Sequence, residues 1–186
     1  MEVETIKDNG KRAIVELLNR SLQIEYAFIL NYPRLIDKLT TVDHINDEQL
    51  NKDLEHLGTE SYHHHGWIGQ LITQLGGKPD WTINVIDRLV DVDRMLVQQL
   101  EKEELALSLF QEARRIAERN KVKVQVRDFI GRLIRMEDEL PIDVVNVDDV
   151  FSTLDRIIID EQHHIKLVHN SSATLNMLMN RGTEID

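Results

Sequence analysis

Four long stretches in which apolar side chains recur every three to four residues constrain this chain more than any other feature. Only three prolines and eight glycines occur in 186 residues, so little stops helices of many turns. No stretch shows the sustained alternation of a half-buried strand. The spacing predicts a first helix over roughly 10–38, with Ile14, Leu17, Leu18, Leu22, Ile29 and Leu30 on its apolar side and Pro33 bending its last turns. A second helix is predicted from about residue 46, where Asn46 and Gln49 have the spacing of a capping box, to the stop at Gly76-Gly77 and Lys78-Pro79. A third is predicted over roughly 88–119 and a fourth over roughly 148–178.

The expected architecture is one all-α domain over 1–186, a four-helix bundle over about 10–178. A short turn makes the first two helices antiparallel. The link from Gly76 to Asp87 can span about 40 Å when extended, against about 45 Å for a thirty-residue helix. It is therefore expected to cross back along the bundle. The long link between the third and fourth helices, about 121–147, carries its own helical stripe in Val126, Phe129, Ile130, Leu133 and Ile134 and is expected to be a helical insert.

Composition narrows the chemistry. The chain has no cysteine, which excludes disulfides, thiolate metal sites and iron–sulfur clusters and leaves nitrogen and oxygen as the metal ligands. A formal net charge of −11 disfavours nucleic-acid partners and attracts cations. No run approaches the roughly 18 apolar residues of a membrane span, and the acidic N-terminus does not read as a secretory signal. A cytoplasmic protein with no membrane contact is the expectation.

The helix centres carry the chemistry. Glu25, Glu60, Glu103 and Glu161 fall at or within about two residues of the four predicted midpoints. In an aligned bundle they meet in one layer, which is costly unless cations neutralise them. Glu60-Ser61-Tyr62-His63 and Glu161-Gln162-His163-His164 are both Glu-x-x-His, a spacing that puts carboxylate and imidazole on one helix face. In the other two helices, Leu22-x-x-Glu25-x-x-x-Ile29-x-x-Tyr32 is echoed by Leu100-x-x-Glu103-x-x-x-Leu107-x-x-Phe110, so one glutamate interrupts each apolar stripe.

This set resembles the ferritin-like di-iron carboxylate superfamily, with bacterioferritin and rubrerythrin as relatives, over roughly residues 10–170. The resemblance implies a centre of two iron ions per chain held by Glu25, Glu60, His63, Glu103, Glu161 and His164, with Glu60 and Glu161 bridging. It implies that Asp160 steadies His63, with Thr59 breaking the matching half of the symmetry, and that Tyr32 lies near the irons. Ser61 stands where bacterioferritin carries its haem-binding methionine, so no haem is expected. The implied activity is oxidation of Fe(II) by O2 or H2O2, serving iron storage, detoxification or peroxide removal. The implied assembly is a homo-oligomer, a dimer at least. Two other readings remain open: manganese in place of iron with catalase-like activity, and a metal-free helical interaction protein whose glutamates face water.

Overall fold

The computed structural model describes residues 2–82, 91–120, 122 and 150–182. They form four long helices: α1 (Glu2–Asp37), α2 (Glu48–Gln74), α3 (Val92–Arg119) and α4 (Val150–Gly182). No strand occurs among the described residues. The expected insert lies outside them except for Val122, whose N–H donates to the Ala117 carbonyl at 3.0 Å.

The helix ends differ from expectation for local reasons. The backbone of α1 passes through Asn9-Gly10 without stopping. Gly10 lies so close to the Asn120 side chain that a Cβ would sit 2.7 Å from it, so the glycine serves a close helix contact. After exposed Pro33, α1 runs into a π-helical turn, Lys38–Val42. The N-cap of α2 is Asp47, which accepts from the Leu50 N–H at 2.8 Å. Gln49 donates forward to Asp53 at 2.8 Å, so Asn46 and Gln49 do not form the expected capping box. Gly76 closes α2 at φ +83°, a conformation that suits glycine.

Each helix buries a stripe at alternating four- and three-residue spacing. On α2 it runs Leu50, Leu54, Leu57, Ser61, His64, Ile68, Leu71. On α4 it runs Val150, Leu154, Ile157, Glu161, His164, Val168, Ser171. These stripes build two apolar clusters. One holds Ile14, Leu18, Ile68, Leu71, Phe110, Ala113, Leu154 and Ile157. The other holds Phe28, Leu35, Leu54, Leu57, Met95, Leu96, Val168 and Leu175. Along every helix the two are separated by the same polar layer, containing Glu25, Ser61, His64, Glu103, Glu161 and His164, all with no more than 0% exposure.

The order in which each helix meets the clusters gives its direction. α1 and α4 run from the Ile14 cluster to the Phe28 cluster, and α2 and α3 run the other way. α1 packs on α2 and α3, and α4 on α3 and α2. Leu75 lies in the first cluster and Val92 in the second, and residues 83–90 of the link between them are outside the described set. Its described start lies along α1, where Asn19 exchanges hydrogen bonds with the Lys78 carbonyl at 3.2 Å and the Asp80 N–H at 2.8 Å.

Candidate metal centre

The stripe register decides which side chains meet. Glu25 of α1, His64 of α2, Glu103 of α3, and Glu161 and His164 of α4 all occupy inward positions and are fully buried. Glu161 sits between two imidazoles: its Oε1 is 3.0 Å from His64 Nδ1 and 3.7 Å from His164 Nδ1. His64 Nδ1 is also 3.5 Å from Glu25 Oε1, and His164 Nδ1 is 3.4 Å from Glu103 Oε2. The two rings face each other with centroids 5.3 Å apart and planes inclined at 27°. Ligand atoms of His64, Glu161 and His164 lie within 4.8 Å of one another, close enough to share a cation.

The outward nitrogens are also engaged. His64 Nε2 lies 3.3 Å from Asp160 Oδ2, and His164 Nε2 lies 2.8 Å from Glu60 Oε2. Glu60 is also 3.1 Å from His56 Nε2. Each ring is thus tied at its outer edge by a carboxylate from the opposite helix, which aims Nδ1 inward. The Tyr32 hydroxyl donates to Glu103 Oε1 at 2.5 Å, fixing that carboxylate from the Phe28 side.

Protonation follows from this crowding. Burial disfavours a charged His64, but hydrogen bonds to Asp160 and Glu161 and the nearby Glu25 charge outweigh it and push its pKa well above the ordinary value. The same opposition at His164, with Glu103 and Glu60 outweighing burial, pushes it up to about 10. Burial, then the Glu25 charge, raises the Glu161 carboxyl well above the usual range, against the opposing pull of His64. Burial, then the neighbouring Glu103 charge, raises Tyr32. The hydrogen bond from His164 lowers Glu60. Without a metal, the surrounding acids favour the protonated form of both rings.

Those protons do not satisfy the layer. Both oxygens of Glu25, Oε2 of Glu103, Oε2 of Glu161, Nδ1 of His164 and Oγ of Ser61 are buried with no hydrogen-bond partner. Buried polar atoms are seldom left so, and hard oxygen atoms with imidazole nitrogens form a donor set that suits a cation of the first transition row. The residues present therefore fit a metal centre.

Most of the expected site residues converge here, with one correction on α2. Glu25, Glu103, Glu161 and His164 lie in the layer, with Tyr32 and Asp160 against it. His63 does not: it is exposed, its ring stacked 6.2 Å from Trp67. Its neighbour His64 takes the inward place, and Asp160 contacts His64. Glu60 is displaced in the same sense, to the rim with its side chain 26% exposed. The cause is the register: Leu50, Leu54, Leu57, Ile68 and Leu71 leave 61 and 64 as the inward positions, one residue after each member of the expected pair. That signal was present in the sequence, in the apolar stripe. The symmetry expected to fail at Thr59 is restored by the same shift, because Glu60 holds His164 as Asp160 holds His64. Glu104, His63 and His163 are exposed.

Solved structures resemble this architecture. A ferritin-like, diiron-carboxylate protein from Bacillus anthracis str. Ames matches with TM-score 0.61 and 20% identity over 87% of this chain and 96% of that one. The bacterioferritin of Desulfovibrio desulfuricans, solved with its diiron site in different catalytic states, matches with TM-score 0.64 and 15% identity over 92% of this chain and 85% of that one. A dodecameric thioferritin, the bacterioferritin-related protein of Bacteroides fragilis, matches with TM-score 0.62 and 15% identity over 96% and 97%. The chain has the ferritin-like fold. No family model matches the sequence, and no curated protein matches it. No helix among the described residues is long and apolar enough to cross a membrane.

Proposed function

We propose that this chain is a di-iron carboxylate protein that oxidises Fe(II) with O2 or H2O2, in iron storage, detoxification or peroxide removal. The observation that carries the proposal is the buried layer of three glutamates and two histidines, whose carboxylates keep oxygens without a hydrogen-bond partner. Glu25, His64, Glu103, Glu161 and His164 would hold the metal. When bound, two iron ions supply one electron each to the oxidant.

The remaining work falls to the chain. Glu161 lies between both rings and would be shared, with Glu25 and His64 holding metal on one side and Glu103 and His164 on the other. Asp160 and Glu60 accept from the outer ring nitrogens and keep Nδ1 as the inward donor atom. Both rings must give up the Nδ1 proton when metal binds. Tyr32 holds Glu103 through its hydroxyl, and the apolar clusters above and below exclude water. The metal-free interaction reading required outward glutamates, and Glu25, Glu103 and Glu161 are buried. A homo-oligomer, at least a dimer, in the cytoplasm belongs to the same proposal. The dodecameric assembly of one structural neighbour supports the oligomer.

Anaerobic titration with Fe(II), followed by oxygen or peroxide, tests the function. The expected result is uptake of about two irons per chain and oxidation faster than in buffer. Absence of both rejects it. Metal analysis after native expression separates iron from manganese.

A further inference from the structure

We propose that the metal centre takes a small exogenous carboxylate-type oxyanion at Ser61; this rests on the di-metal reading above. Exchanging α1 with α3 and α2 with α4 carries Glu25 onto Glu103, His64 onto His164, and Leu54 and Leu57 onto Leu154 and Ile157. The outer contacts follow, since Asp160 ties His64 and Glu60 ties His164. The symmetry fails at the centre of the carboxylate set. Ser61 occupies the place on α2 that Glu161 occupies on α4, and both are fully buried.

Two further observations make this substitution informative. The Ser61 hydroxyl is buried without a hydrogen-bond partner, one helical turn before His64 on the same inward stripe, so it offers a free donor to the polar layer. The charges are also unequal. Among the fully buried groups, two divalent cations with neutral imidazoles exceed the charge of Glu25, Glu103 and Glu161 by one, Asp160 and Glu60 being partly exposed to water at the outer ring nitrogens, and an unbalanced buried charge is costly. A monoanion of formate or acetate size restores the balance and supplies the two oxygens that a glutamate at this position would bring. Glu60 is engaged elsewhere, accepting from His164 at 2.8 Å and facing His56 at the rim.

The test uses the intact protein loaded with Co(II), whose visible bands report coordination, at fixed pH and ionic strength. Formate, acetate and bicarbonate are titrated separately against a chloride control. In the wild type, about two cobalt ions bind per chain, and one of the oxyanions changes the bands saturably. By linkage, that anion at saturation tightens cobalt binding about tenfold. Ser61→Glu supplies the carboxylate from the chain and is expected to bind cobalt without responding to any of the three. Ser61→Ala keeps the space, loses the donor, and is expected to bind the anion about tenfold more weakly. Cobalt uptake with no anion response in the wild type overturns the inference and leaves the di-metal reading standing. So does unchanged anion affinity in Ser61→Ala, which also decides the matter if Ser61→Glu does not fold. No cobalt uptake removes the di-metal reading and the inference with it.

Discussion

Replacing His64 and His63 in turn separates the register of the structure from that of the Glu-x-x-His pattern. His64 brings its Nδ1 into the polar layer, 3.0 Å from Glu161 and 3.5 Å from Glu25, whereas His63 is exposed. With metal at about 100 times its Kd, binding adds about 2.7 kcal/mol to stability. Loss of a ligand that weakens binding about 100-fold leaves about 0.4 kcal/mol. The difference is about 5–9 °C in Tm for a chain of this size. His64→Ala therefore loses most of the metal-induced rise in Tm, and His63→Ala keeps it. In chelator, His64→Ala also leaves Glu25 and Glu161 without the ring between them and costs about 3–5 kcal/mol. His63→Ala stays within about 0.5 kcal/mol of wild type. Thermal scans with and without anaerobic Fe(II) measure both quantities, and His64→Gln retains volume if the alanine variant is too unstable. A metal-induced rise that survives in His64→Ala and disappears in His63→Ala would refute the reasoning.

Three other outcomes follow from the same geometry. Asp160→Asn and Glu60→Gln each weaken metal binding by about 10–100-fold, measured by calorimetric titration; affinities equal to wild type in both would deny the orienting role of these acids. Tyr32→Phe removes the donor to Glu103 Oε1 and leaves that oxygen bare, costing about 1–3 kcal/mol in chelator; urea unfolding reads it, and a neutral result would show that the contact contributes nothing. The metal-free protein loses stability as pH rises. His164 titrates near 6.5 in the ordinary state and is pushed up to about 10 in the fold, so the folded chain keeps a proton that the unfolded chain has released. That stabilisation is complete below about 6.5 and is lost as pH rises through about 10, while metal affinity increases over the same range as the rings release their protons. A Tm in chelator that stays level or climbs from neutral to alkaline pH would contradict this sign.

The helical architecture was legible in the sequence because the stripes are long and clean. The apolar positions 14, 18 and 22 of α1 and 154 and 157 of α4 already place Glu25 and Glu161 inward, and the structure buries both. On α2 the Glu-x-x-His spacing and the phase of the apolar stripe disagree by one residue, and the fold follows the stripe. A histidine run, His63-His64-His65, offers a candidate at every phase, and only the leucines at 50, 54 and 57 decide among them. The role of Glu60 was illegible for another reason: its contact with His164 spans two helices, and no local spacing encodes it. The close approach of the Trp81 ring to Gly69 is illegible likewise, because Trp81 lies on a link that periodicity does not describe.

The central claim is that cations occupy the layer between the two apolar clusters. Anomalous scattering at the iron edge, from crystals of protein loaded anaerobically with Fe(II), tests it most directly. Iron peaks enclosed by Glu25, His64, Glu103, Glu161 and His164 are the expected result. Peaks confined to the surface around His63 and Glu60, or none in the bundle, would contradict it.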